Sequence, residues 1–201
     1  MEESPAREYL EKRGIDLPAA NMSHLGYVKP DAALPGHDAY KGMLSIPYYT
    51  VHGGVVAMKF RAIDDRSTSR YLWPPGQTSH LYNVCATVSG HPSIAICEGE
   101  LDTVVAHAVC GVNAVGIAGV SHWKSHHPRV LRGFRDVFVI TDNDDKESGE
   151  NPGQDLARKI LNDIPHARNI VLPRGQDITD FVLQNGKDAL PSLLGLTTNA
   201  A

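Results

Sequence analysis

Cysteine is scarce: Cys85, Cys97 and Cys110 are the only three in 201 residues, and no two form a Cys-x-x-Cys pair. That is too few, and too widely spaced, for a disulfide framework or a four-ligand zinc site. Cys97 and Cys110 lie in apolar segments and are expected to be core thiols. No run of about 18 apolar residues occurs, so no membrane span is expected. The start, Met1 to Arg7, lacks the basic and apolar regions of a signal peptide, and the cytoplasm is the default location. A G-x-x-x-x-G-K-[ST] loop is missing, which excludes a P-loop motor from these residues. There is no excess of positive charge either, since 19 basic and 23 acidic side chains leave −4 overall.

The distribution of charge says more than its sum. Residues 1–89 balance nine basic against nine acidic side chains, while residues 90–201 carry 10 basic and 14 acidic ones. Global basicity therefore cannot hold a nucleic acid; a phosphate-binding surface has to be local. The one basic concentration is within 52–71, where Lys59, Arg61, Arg66 and Arg70 face only Asp64 and Asp65. The ten histidines are scattered except for His122, His126 and His127, which have no cysteine near them and do not read as a zinc site.

Two apolar runs end in carboxylates. Ile94-Ala95-Ile96-Cys97 leads into Glu98-Gly99-Glu100-Leu101-Asp102, and Val137-Phe138-Val139-Ile140-Thr141 leads into Asp142-Asn143-Asp144-Asp145. Short continuous apolar runs suit strands buried on both faces of a parallel sheet. A helix-like segment from Leu101 to Val109 and a further strand from Ala114 to Ala118 separate them, an alternation that places both acidic clusters at carboxyl ends of strands. Open α/β sheets bind ligands along that edge. Carboxylates gathered there repel one another, and a divalent cation with oxygen ligands is the common remedy; two solvated acidic loops are the plain alternative.

The rest of the chain supplies a smaller unit ahead of this one. Ser4-Pro5 followed by Ala6 to Arg13 and Gly14 predicts a short helix. Residues 16–42, rich in Pro, Gly and Asn, read as irregular. Leu44 to Val51 and Val55 to Arg61 predict a hairpin around His52-Gly53-Gly54. Beyond the acidic clusters, helices are predicted over 154–161, 181–184 and 187–196, with a last strand over 168–172. The expected fold class is thus α/β, a parallel sheet flanked by helices, preceded by a small α+β subdomain; the division is 1–89 and 90–201.

Glu98-Gly99-x-x-Asp102 after one strand and Asp142-x-Asp144 after a later one resemble the Toprim domain of topoisomerases and primases. The first half is similar to the core of bacterial and phage primases of the DnaG type. The matching stretches are Tyr9-Leu10-Glu11-Lys12-Arg13-Gly14-Ile15, Ile46-Pro47 through Arg61, Arg70-Tyr71-Leu72-Trp73-Pro74-Pro75-Gly76, and Leu81-Tyr82-Asn83. Leu172-Pro173-Arg174-Gly175-Gln176-Asp177 matches a further motif of that family. The resemblance implies a primase core that makes short RNA primers on single-stranded DNA from ribonucleoside triphosphates. It implies Mg²⁺ or Mn²⁺ on Asp142 and Asp144, with Asp102 and Asp177 completing the shell and Glu98 either a ligand or the base for the attacking 3′-hydroxyl. It implies a nucleic-acid and nucleotide surface at Lys59, Arg61, Arg70, Tyr71 and Lys124. A separate replicative helicase and a zinc-bearing primase subunit are the implied protein partners. A Toprim-type nuclease accounts for 93–185 equally well but leaves the first half unexplained. A non-catalytic replication module, and a phosphatase with Asp142 as nucleophile, are the remaining alternatives. Trp123 and Lys124, within 122–129, either stack bases and bind phosphate or begin an ordinary helix with Trp123 packed.

Overall fold

A computed structural model describes residues 3–31, 34–64, 69–144, 148 and 150–196. Arg66 and Asp145, part of the basic concentration and of the second acidic cluster, lie outside these residues.

Two four-stranded sheets organise the chain. In the first, β1 (Gly26–Tyr27), β2 (Leu44–Tyr49), β3 (Val55–Arg61) and β4 (Tyr71–Leu72) follow one another in antiparallel order. The β2–β3 hairpin pairs Leu44 with Arg61 and Ile46 with Lys59. In the second, β5 (Ser93–Cys97), β6 (Ala114–Gly116), β7 (Asp136–Ile140) and β8 (Arg168–Asn169) run parallel in the order β6-β5-β7-β8. The expectation of an α/β protein with a parallel sheet flanked by helices is met.

The apolar runs that read as doubly buried strands are buried on both faces. Ala95, Cys97, Ala114, Phe138 and Ile140 face one cluster, which continues into the first sheet through Leu44, Ile46 and Tyr48. Ile94, Ile96, Val115, Val137 and Val139 face the other, closed by Leu156, Ala157 and Ile160. The period of two along each strand sends neighbours to opposite faces, and both faces are covered, so no polar alternation survives in the sequence.

Seven helices complete the described fold: α1 (Pro5–Glu11), α2 (Leu17–Met22), α3 (Glu100–Val104), α4 (His127–Leu131), α5 (Pro152–Asp163), α6 (Ile178–Asn185) and α7 (Ala189–Leu193). A π-helical turn, Val105–Val109, extends α3. The irregular reading of 16–42 needs correction, because α2 and β1 fall inside it. Asp16 caps α2, its carboxylate accepting from Ala19 N at 2.9 Å, and Pro18 sits in the first turn. This start signal was present in the sequence, masked by the Pro- and Asn-rich composition around it. Helix α6 starts earlier than predicted because Asp177 caps it, accepting from Asp180 N at 2.7 Å. Asp180 therefore belongs to the first turn of α6, where its charge faces the positive end of the helix dipole.

Candidate active site cleft

Helices α3 and α5 leave the adjacent strands β5 and β7 toward opposite faces of the parallel sheet, since Leu101 and Val104 join one core cluster and Leu156 and Ile160 the other. A crevice opens at such a switch point, outside the carboxyl ends of the strands. Glu98 and Asp142, the residues near the ends of β5 and β7, meet there: Asp142 N–H donates to Glu98 Oε2 at 3.2 Å. The N-terminal turn of α5 packs on this corner. A Cβ on Gly153 would run into the Asp142 carbonyl oxygen and the Glu98 carboxylate, so only glycine allows so close an approach.

The cleft above this corner has a volume of about 520 Å³ and is walled by both sheets. Its acidic side holds Glu98, Asp102, Asp142 and Asp177. Asp102 is tied to α6, accepting from Thr179 Oγ1 at 2.8 Å and Thr179 N at 3.2 Å. Burial pushes the Asp142 carboxyl up to about 8, helped by the negative charges of Glu98, Asp102, Asp177 and Asp144. Burial and the charge of Asp102 raise Asp177 to about 6. Asp102 is also raised, chiefly by burial, against the lowering effect of its bonds from Thr179. Asp144 is half-buried and acts on Asp142 through its charge, but it is not among the residues lining the cleft. Thus four of the five predicted acids share one cavity, and the fifth stands beside it.

The opposite wall holds Arg13, Lys59, Arg61, Arg70, Tyr71 and Trp73. Lys59 and Arg61 alternate with Phe60 along β3 and so point to the same side. They line the cleft without lying open on the surface, being only 4% and 5% exposed. Lys59 Nζ donates to Glu100 Oε1 at 2.7 Å and lies 4.2 Å from the centre of the Tyr71 ring. The Arg61 guanidinium donates to the Tyr71 hydroxyl and lies 5.6 Å from the Tyr9 ring, while its Nε has no hydrogen-bond partner. Arg70 is exposed at the rim. Burial raises the Tyr71 hydroxyl to about 12, keeping it protonated.

Lys124 belongs elsewhere, to an adjoining groove of about 520 Å³ with Gln77, His80 and His126; Trp73 and His122 line both cavities. Trp123 is 4% exposed and its Nε1–H donates to Asp163 Oδ2 at 2.7 Å, so it packs rather than stacks bases. Cys97 and Cys110 are buried, as expected, and burial raises the Cys110 thiol to about 12. Four cleft residues were missed from sequence: Arg13, Trp73, Glu100 and His122. Arg13 and Trp73 stood inside the primase-like stretches and could have been found there. Glu100 stood inside the first acidic cluster and His122 inside the one group of histidines, and neither was singled out there.

The donor set suits a hard divalent cation, because it is made of carboxylate oxygens whose mutual repulsion helps hold the Asp142 carboxyl above its ordinary range. Among the described residues, no three acidic, histidine or cysteine side chains already converge to hold a metal.

An acid-edged parallel sheet joined to an antiparallel sheet through a common cleft defines a Toprim-type α/β protein, and residues 93–188 match the Toprim domain family. The described residues have the fold of a primase catalytic core. A DnaG primase catalytic domain solved bound to single-stranded DNA superposes with a TM-score of 0.76 at 23% identity, over 96% of this chain and 71% of that one. The Gene 57 protein of Mycobacterium phage D29 is 35% identical over 155 residues, covering 75% of this chain and 97% of that protein. The chain belongs to the same family as that phage protein. A DNA primase of Clostridium acetobutylicum is 25% identical over 95% of this chain, which spans 37% of that protein's length. These likenesses support a primase-like function. No helix among the described residues is long and apolar enough to cross a membrane.

Proposed function

We propose that this chain is the catalytic core of a DNA primase, joining ribonucleotides into short primers on a single-stranded DNA template. The observation that carries the reading is the shared cleft: a Toprim acidic edge faces an Arg- and Tyr-bearing wall from a separate antiparallel sheet. A Toprim-type nuclease accounts for the first wall but leaves the antiparallel unit that carries the second unexplained. In this reading residues 90–201 form the catalytic unit and residues 1–89 the surface that positions nucleic acid and nucleotide.

Asp142 and Asp144 are proposed to hold Mg²⁺ or Mn²⁺, with Asp102, Asp177 and Glu98 completing the acidic shell. When bound, the ion stabilises charge on the attacking and leaving oxygens of a phosphoryl transfer. Glu98 already accepts the Asp142 N–H through Oε2. Its carboxylate is thereby oriented at the corner of the cleft, where it either joins the metal shell or takes the proton of the 3′-hydroxyl. Arg61 and Arg70 offer planar, permanently charged groups to phosphate oxygens. Arg61 brings a buried Nε donor with no partner, and Arg70 the exposed rim. Tyr71 stays protonated and holds the Arg61 fork in place. Lys124, in the adjoining groove, is placed to meet a strand leaving the cleft past Trp73 and His122.

One assay tests this: the chain, single-stranded DNA, labelled ribonucleotides, Mg²⁺ or Mn²⁺, and a short annealed primer. Primer extension without cleavage is expected. Initiation without a primer should be poor, and a zinc-bearing protein of the same replication system should restore it. A replicative helicase is the further partner proposed. Metal-dependent cleavage with no nucleotide incorporated would replace this reading with the nuclease.

A further inference from the structure

We infer that Glu100 is a positioning residue of the cleft, holding the segment that carries Glu98 and Asp102 against the basic wall through Lys59; the inference deepens the primase-core reading and rests on it. Glu100 opens α3, two residues from each of those acids, and is 2% exposed. Its Oε1 accepts from two donors on the other sheet. One is the hydroxyl of Tyr48 on β2, which is fully buried; the other is Lys59 Nζ on β3, at 2.7 Å. The Lys59 ammonium also lies 4.2 Å from the Tyr71 ring centre and 5.5 Å from that of Trp73. The lysine thus bonds across to the acidic segment and stacks on the aromatic rings of its own wall.

A buried charge is costly unless paired, so Lys59 and Glu100 each require the other. The pair therefore fixes where β3 lies relative to the Glu98–Asp102 segment, and with it the separation of the acidic and basic walls. Lys59, compensated by Glu100, then adds no net positive charge for a phosphate to use, and that task falls to Arg61, Arg70 and Arg13. Lys59 is reassigned from phosphate binding to scaffold.

The test uses the full chain with Glu100→Ala, Glu100→Gln, and the double change Lys59→Met with Glu100→Met. In primer extension, Glu100→Ala is expected to lower kcat roughly 10- to 100-fold, the scale of a small misplacement of reacting groups, with the nucleotide KM unchanged. Titration calorimetry with Mn²⁺ should show affinity weakened roughly tenfold, as when a residue supporting a metal shell is removed. Glu100→Gln keeps an oxygen that accepts from Tyr48 and Lys59, and should fall between Glu100→Ala and the wild type in both measurements. If Glu100→Ala does not fold, the double variant, which replaces both charges with apolar groups of similar length, takes its place in the same measurements. A folded Glu100 variant whose Mn²⁺ titration superimposes on that of the wild type overturns the assignment. Should the wild type extend no primer, the primase reading fails on its own account, and the Mn²⁺ comparison alone then decides the role of Glu100.

Discussion

The two walls of the cleft carry opposite charge and manage it differently. On the basic wall, Lys59 is paired with Glu100 and stacked on Tyr71, and Arg61 is tied to the Tyr71 hydroxyl. On the acidic wall, Asp142 and Asp177 are held above the ordinary carboxylate range by burial and by neighbouring carboxylates. Cations buried on a strand face find aromatic rings and a carboxylate within the fold. Asp102 and Asp177, beyond the strand ends, take hydrogen bonds from α6 and feel the charge of Arg13, yet burial, joined at Asp177 by neighbouring carboxylates, outweighs both. The carboxylates of the acidic wall thus still repel one another, whereas the cations of the basic wall are largely satisfied within the fold.

Neutralising the acidic wall should have the largest effect. Asp142→Asn and Asp144→Asn are each expected to lower primer extension by about 10²- to 10³-fold or more, the scale seen when a group stabilising transition-state charge is removed. Folding should not suffer. Asp142 is disfavoured as an anion in the folded chain, so the neutral amide should unfold at an equal or higher temperature than the wild type. Calorimetric binding of Mg²⁺ or Mn²⁺ unchanged in both variants would show that the acids are not ligands.

A smaller effect separates the two guanidinium groups of the basic wall. Arg61→Ala with Arg70→Ala should weaken single-stranded DNA binding and flatten its dependence on salt, by about 0.7 in slope for each phosphate that is no longer neutralised. The single variants should differ in stability. Arg70 is exposed and its removal should be neutral, while Arg61 is buried against two tyrosines, and truncation removes packing as well as charge. Binding measured as a function of salt, alongside urea unfolding of each variant, checks both statements. An unaltered slope would place the phosphate-binding groups outside this wall.

The smallest expected effect guards the pH dependence of the site from misreading. His127, on α4, is 2% exposed; its Nδ1 accepts from Lys124 N at 3.2 Å and its buried Nε2 has no partner. Burial, with the charges of His126, Lys124 and His80, lowers its pKa from 6.5 to about 4. Between these values the unfolded chain binds the proton more readily, so the contribution of His127 is complete above pH 6.5 and is lost as pH falls toward 4. His127→Asn, whose carbonyl can still accept from Lys124 N, should flatten the urea midpoint between about pH 7 and 4.5. A midpoint falling as steeply in the variant as in the wild type would show that His127 is not the source of the acid sensitivity. Nor could the cleft be, since its raised carboxyls add stability as pH falls.

Legibility from sequence followed how local the determining physics is. Strands β5 and β7 were readable because burial on both faces leaves uninterrupted apolar runs. The acids were readable because they follow those runs directly. Helix α2 was passed over although Asp16 and Pro18 marked its start, since the surrounding composition favoured a loop. The basic cluster was recognised by type and misjudged in setting, because alternation along β3 shows which side chains share a face and not what covers that face. Tyr48, Tyr71 and Glu100, distant in sequence, do the covering.

Hydrophobic period and residues adjacent in the chain were enough to specify the parallel sheet, the acids at its carboxyl edge and the presence of a second, antiparallel unit. The folded molecule alone shows that the second unit closes over the acidic edge to form one cleft, that Asp144 stands beside that cleft and Lys124 in the next groove, and that Lys59 is answered by Glu100. Such interactions join residues tens of positions apart, such as Lys59 and Glu100 across 41. Burial decides which charges must find a partner, and no local pattern records which partner each one finds.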